Sequence, residues 1–329
     1  KNLLQQPPIP TSSGFANMLV NRGGLENKGL EIGLDITAID KGDFNLSFGG
    51  NISFNKSKIE NLGLVPGDIL MSDGMGGYAN QQIASYLGNV PSRGNSIKFP
   101  INIFMEGHEV ALFYGWKTDG LFQSGDTMYP INGSMSQPGD IKVLDLNGDC
   151  VVDLADRTVI GNPNPDYVYG FNVNLSYKGF SMRALFNGVE GNEIVNGNYY
   201  RFGWAEGTYR NILADAWYDR WTPDNTSAAY PRLGYSANLF GALMDRVIED
   251  GSYLRLKSIT LNYDIPLSNN NFIDAANVYI TGSNLFTWTD YSGYDPEITT
   301  FLWDGLLQGT DWNNKPNSRS VLVGVNLNF

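Results

Sequence analysis

From Leu30 the chain alternates, with Leu30, Ile32, Leu34, Ile36 and Ala38 separated by Glu31, Gly33, Asp35 and Thr37. A period of two sends successive side chains to opposite faces of a strand, so one face is apolar and the other polar. Asp40-Lys41-Gly42-Asp43 reads as a tight turn. Beyond it Phe44, Leu46, Phe48, Ile52 and Phe54 alternate with Asn45, Ser47, Gly49, Asn51 and Ser53, completing a long hairpin. The pattern returns at Phe171, Val173, Leu175 and Tyr177, turns at Lys178-Gly179, and resumes at Phe180, Met182, Ala184 and Phe186. Further strands are expected at 14–20, 98–105, 108–120, 253–264, 277–287 and 320–329, which makes about ten in an all-β antiparallel fold.

The connections between these strands are short and long in turn. Residues 40–43, 106–107, 178–179 and 266–276 are short, whereas 58–97, 121–165, 188–252 and 288–319 are long; the link near 21–28 is short where a long one is expected. Loops segregated by length are the mark of a transmembrane β-barrel with tight periplasmic turns and long extracellular loops. A sandwich or a lipocalin has no reason to sort its loops by end. The last strand sets Val321, Val323, Val325, Leu327 and Phe329 on one face. A terminal aromatic in phase with the apolar face matches the insertion signal of outer-membrane barrels, and an ordinary edge strand is the alternative.

Composition agrees. Only 17% of residues are charged, Gly numbers 38 and aromatics reach 13%. Mean hydropathy is −0.23, and the longest apolar run, Val110–Trp116, is far too short for a membrane helix. A net charge of −12 argues against a nucleic-acid partner. The chain begins Lys-Asn-Leu-Leu, so a targeting segment is expected upstream or already removed. Enzymatic readings find little support. The single histidine, His108, is expected at a periplasmic turn, and Cys150, the single cysteine, lies among carboxylates that suppress thiolate chemistry.

Three loop segments invite specific expectations. Residues 211–221 place Leu213, Trp217 and Trp221 at helical spacing, which predicts a short amphipathic helix packed on the barrel rim. Tyr199, Tyr200, Trp204, Trp303 and Trp312 are placed by loop position to meet a ligand. Asp145, Asn147, Asp149, the Val151 carbonyl, Asp153 and Asp156 occupy positions 1, 3, 5, 7, 9 and 12 of a calcium-type loop. Cys150 stands where the turn glycine is usual, and an Asx-rich turn without metal is the other reading. Calcium here would rigidify an extracellular loop.

In this order, several motifs together resemble the SusC-like, TonB-dependent outer-membrane transporters. They are Pro10–Gly14, Glu26-Asn-Lys-Gly-Leu-Glu31, Pro138-Gly-Asp140 before Asp145–Asp149, Val159–Pro163 and Tyr177-Lys-Gly-Phe180. Trp217–Pro223, Ser252-Tyr-Leu-Arg-Leu-Lys257 with Tyr263 and Pro266, Gly282–Leu285, Tyr291 and Asp295-Pro-Glu297 follow. Cys150 departs from the family pattern. The resemblance implies a barrel of about 22 strands, of which residues 1–329 would be the C-terminal portion, with the N-terminal plug, TonB box and signal peptide outside this chain. It also implies a SusD-like surface lipoprotein as lid, SusCD pairs that dimerise, the TonB complex as energy source, and oligosaccharides or peptides as cargo. Two other readings compete: a passive ten-stranded porin or adhesin that closes on itself, with 14–20 paired to 320–329, and a soluble calcium-dependent glycan-binding β-protein.

Overall fold

The computed structural model describes residues 4–5, 20–21, 23–63, 85–91, 97–203, 211–234, 241–267, 272–297, 299–312 and 314–329. Seven long strands form one antiparallel sheet: β1 (Gly24–Lys41), β2 (Phe44–Asn61), β3 (Tyr167–Tyr177), β4 (Phe180–Glu190), β5 (Tyr253–Ile265), β6 (Ala275–Thr289) and β7 (Ser320–Asn328). Each strand pairs with its neighbours in sequence, so the sheet is an up-and-down meander in the order β1 to β7. Among the described residues β1 and β7 stand at opposite edges and do not pair, which makes the sheet a stretch of barrel wall. The expected strand at 14–20 lies outside the described residues, apart from Val20.

Register carries the alternation across the whole wall. Ile32 lies opposite Ile52, Ile52 opposite Tyr169, Phe171 opposite Phe186, Met182 opposite Leu261, Leu261 opposite Ile280 and Ile280 opposite Val323. One face is thus apolar from edge to edge and open to its surroundings: Leu34, Phe180, Val323 and Phe329 are 61%, 57%, 70% and 71% exposed. The other face carries Asp35, Ser47, Asn172, Asn174, Arg183, Thr260 and Thr281. Only a hydrocarbon solvent outside and water inside suit both faces, since the sheet satisfies its backbone groups internally.

Aromatic rings edge the apolar face at both ends. Phe54–Tyr167 and Phe286–Trp288 mark one end, with ring centroids 5.6 and 6.0 Å apart. Phe44–Tyr177, Phe180–Tyr263 and Phe272–Phe329, at 6.1, 4.3 and 5.7 Å, mark the other. Ten residue steps from Tyr167 to Tyr177 at about 3.3 Å each, tilted by about 40°, give a band about 25 Å high.

The three connections at the second end are short: 42–43, 178–179 and 266–274. Those at the first end, 62–166, 191–252 and 290–319, are long, and their described residues fold together into a cap. Ile101, Phe113, Trp116, Phe122, Val195, Tyr200, Leu243, Met244, Phe301 and Trp312 belong to one buried cluster drawn from all three. The principal hydrophobic core therefore lies in the loops.

Two strand expectations are corrected by this arrangement. Asn102–Met105 and Leu112–Gly115 are not wall strands; they belong to a four-stranded sheet inside the cap, between Ser85–Leu87 and Thr158–Gly161. The turn at 106–107 consequently sits at the cap end, where Gly107 N–H donates to the Ile59 carbonyl (2.7 Å) and Ile59 N–H to that of His108 (2.9 Å). His108 moves there with it. With those two strands removed from the wall, the short turns between the described wall strands fall at one end and the long loops at the other, and residues 24–28 of the expected short link belong to β1 itself.

Val173 lies near mid-height on the apolar face and Asn174 beside it on the polar one. Val173→Arg is expected to cost about 2–4 kcal/mol in a bilayer and Asn174→Arg much less. Denaturant unfolding of the full receptor in lipid vesicles measures both.

Candidate functional site

Alternation along β5 sends Leu254 and Leu256 to the apolar face and Tyr253 and Arg255 to the inner one. A register shift between Leu256 and Ser258 then inserts Lys257 as a bulge, so two cations come within reach of the same partner. That partner is the 290–319 loop. Arg255 Nη1 donates to Glu297 Oε2 at 2.7 Å, and Arg255 Nη2 donates to Asp295 Oδ1 at 2.5 Å. Lys257 Nζ reaches both Glu297 oxygens at 3.1 Å. Asp295 also accepts the N–H groups of Glu297 and Asn317, each at 3.0 Å. Arg255 and Asp295 are buried. Burial alone pushes the Asp295 carboxyl up, but Arg255 and the two N–H groups outweigh it and hold it below the usual carboxylate range.

Between this node and the cap lies a cavity of about 390 Å³. Val189 and Tyr253 line it from the inner face of the wall, and Glu297, Phe301, Leu302 and Asp304 from the loop. Nearby, Tyr291 donates its hydroxyl to Asp311 Oδ2 at 2.8 Å, with both side chains buried. Burial raises the Tyr291 phenol, helped by Asp311, and burial also raises the Asp311 carboxyl above its usual range.

The aromatic residues expected to meet a ligand separate into three groups. Tyr200 and Trp312 are each 1% exposed, lie 6.0 Å apart and belong to the cap core; the Tyr200 hydroxyl accepts the Gly241 N–H at 3.0 Å. As folded, neither presents a ring face to a solute, because three long loops need a core of their own. Tyr199 is half-buried, 6.0 Å from Tyr230, and Trp204 lies outside the described residues. Trp303 is 72% exposed and its ring stands edge-on to Phe301 at 5.8 Å. The helix expected over 211–221 shrinks to Ala214–Tyr218. Trp221 is buried, but Leu213 and Trp217 are exposed, so that face is not packed along its length.

The Asp145–Asp156 loop turns its oxygens onto its own backbone. Asp145 accepts N–H bonds from Gly148 (2.7 Å) and Cys150 (2.8 Å), Asn147 from Asp149 (2.9 Å), Asp149 from Val151 (2.8 Å), and Asp153 from Ala155 (2.7 Å). Asp156, fully buried, takes those of Leu146 and Asp153, each at 2.8 Å. Cys150 adopts φ +65°, the left-handed conformation where glycine is favoured. The Trp116 indole N–H, donating to the Asp153 carbonyl at 2.8 Å, ties the loop to the cap core. Among the described residues no three acidic, histidine or cysteine side chains converge as metal ligands.

An antiparallel wall with one apolar face and a one-ended cap defines part of a barrel of the outer-membrane type. No family model matches the chain. Along its whole length it is 32% identical to TonB-dependent receptor P3 of Formosa agariphila, of which it covers 31%, and 28% identical to TonB-dependent receptor SusC of Bacteroides thetaiotaomicron, of which it covers 29%. The RagAB peptide transporter matches 99% of the chain with a TM-score of 0.73 and 25% identity, the chain covering 32% of that structure. The chain belongs to the SusC-like TonB-dependent receptors, and it spans about a third of the length of the relatives it matches.

The charged node was missed from sequence, although Ser252–Lys257 and Asp295-Pro-Glu297 were recognised separately as motifs. The two adjacent polar residues Lys257 and Ser258, which interrupt the alternation of β5, are the signal that marks the bulge. Arg255→Ala is expected to cost about 3–5 kcal/mol by stranding a buried carboxylate, and Lys257→Ala less than about 1 kcal/mol. Protease sensitivity of the 290–319 loop reads the difference. Because the folded Asp295 has a lowered pKa, its contribution is complete above the unfolded value and fades as pH falls through the folded one. Asp311, raised, acts in the opposite sense. In an Asp311→Asn background, acid release of the loop is expected below the ordinary carboxylate range, and Asp295→Asn abolishes this pH dependence.

Proposed function

We propose that this chain supplies part of the wall and extracellular cap of a SusC-like importer in the Gram-negative outer membrane. The observation that carries the reading is the wall itself: seven strands in one antiparallel meander, apolar on one face and polar on the other, with the long connections between them all at one end. Membership of the TonB-dependent receptors supports active import, with the TonB complex acting through parts of the receptor outside this chain. We take the chain as the C-terminal portion of that receptor, with Phe329 as the insertion signal. A SusD-like lipoprotein closes over the cap, and two such pairs associate. The chain itself performs no catalysis.

The cargo is an oligosaccharide or a peptide. The likeness to a peptide transporter supports the second, and the exposed ring of Trp303, between the cavity-lining Leu302 and Asp304 in sequence, offers a stacking face for the first. In cells carrying the full receptor, labelled peptides and oligosaccharides are expected to enter against a gradient, and collapse of the proton-motive force is expected to stop them. Uptake that continues unchanged after collapse identifies a passive porin instead.

Calcium at Asp145–Asp156 belongs to the same proposal. The order of oxygen ligands along the loop supports it, and the carboxylate oxygens of Asp145, Asp149 and Asp153 each accept no more than one hydrogen bond and keep a second lone pair. Binding requires Asp145, Asp149 and Asp153 to swing inward. Isothermal titration of the full receptor is expected to show one calcium site that is lost in Asp149→Ala, and no heat in the unmodified receptor overturns it.

A further inference from the structure

The carboxylates that line the inner cavity are not equivalent. Glu297 is matched by Arg255 and Lys257. Asp304 accepts the Leu306 N–H at 2.9 Å and the Asn89 amide at 2.8 Å, both neutral donors. Among the described residues it enters no ion pair. The cavity lining is mixed, and its apolar part is Leu302, 85% exposed, from the same loop, with Val189 and the Tyr253 ring from the wall. By register Glu31 stands on the inner face in the same row as Val189 and Tyr253. A carboxylate without a counter-ion at the lip of a cleft with an apolar strip suits a cation on an alkyl stem, the stem against Leu302 and Val189 and the head at Asp304. It disfavours a carboxylate or sulfate group in the same place.

We infer that this cavity is a subsite for an ammonium- or guanidinium-bearing part of the imported solute, with Asp304 as its counter-ion. The inference rests on the import reading above and narrows the cargo to molecules with a basic group, such as peptides containing lysine or arginine. Leu302 and Val189 bind the stem, and the Arg255 node is a positioning element that holds the loop carrying Asp304 against the wall.

The test uses the full receptor in detergent and two tripeptides, Ala-Lys-Ala and its side-chain-acetylated form, both blocked at each end. In isothermal titration at low salt the lysine peptide is expected to bind about fivefold more tightly, the scale of one partly exposed ion pair. Asp304→Asn is expected to bring the two affinities together. A third peptide, with a free N-terminus and acetyl-lysine, supports the subsite through an α-ammonium if it matches the lysine peptide in the unmodified receptor and loses that match in Asp304→Asn. Equal binding of the blocked peptides to the unmodified receptor, or an unchanged preference in Asp304→Asn, overturns the subsite. Should the variant fail to fold, the unmodified receptor still decides: the preference must shrink in 0.5 M salt, and a salt-independent preference overturns the assignment. No preference for the lysine peptide in the unmodified receptor, with labelled solute still imported, defeats the subsite alone, whereas absence of any energised uptake defeats the import reading.

Discussion

A sheet that separates hydrocarbon from water has no tolerance for a slip in register. One residue of displacement would turn every apolar side chain of a strand inward and every polar one outward, and an unpaired N–H at mid-height would have no water to meet. The seven wall strands keep a common register over their middle reaches, and two departures from it coincide with departures in the sequence. Thr37 and Ala38 separate Ile36 from Ile39 where β1 shifts against β2, and Lys257 with Ser258 separates Leu256 from Ile259 where β5 shifts. Opposite that second shift, Asn284 on β6 adopts φ +52°. The bulges preserve the apolar face on both sides of the break, and the one in β5 also delivers Lys257 next to Arg255.

This constraint also explains where the core lies. A wall with wet and lipid faces cannot bury its side chains against a second layer of its own, so its apolar residues remain exposed until lipid covers them. The three long loops, surrounded by water, must bury theirs. They do so against one another, with Trp116 and Trp312 among the most deeply buried large side chains of the molecule. The cap therefore behaves as a soluble fold built from three insertions, while the wall obeys the rules of a membrane.

That division decides what could be read from the sequence. Alternation is local, and it located each of the seven described wall strands because each carries its own contrast of solvents. The asymmetry of the loops was legible for the same reason. Ile101–Met105 and Leu112–Trp116 failed because apolar runs of strand length look alike in a wall and in a cap; Leu112-Phe-Tyr-Gly-Trp has no alternation, which is the difference between burial on both faces and on one. Tyr200 and Trp312 were misjudged by the assumption that a long loop exposes its aromatics. The pairing of Arg255 with Asp295 was out of reach, since nothing local in either motif names a partner 40 residues away.

Wall and cap meet at that pair, and its chemistry suits the junction. An apolar contact would hold the 290–319 loop as firmly but in many orientations, whereas a guanidinium shared between two carboxylates admits few. A buried ion pair adds little net stability over a hydrophobic one, because desolvation offsets the attraction. What it supplies here is position. Asp295 is fixed by Arg255 and by the N–H groups of Glu297 and Asn317 together, so the loop is held near both of its wall ends, with Phe301, Trp303 and Asp304 on the span between. A loop tethered in this way can adjust its exposed middle to a solute while its ends stay registered to the lumen. The inner cavity is consequently a property of the junction, and neither the wall nor the cap would form it alone.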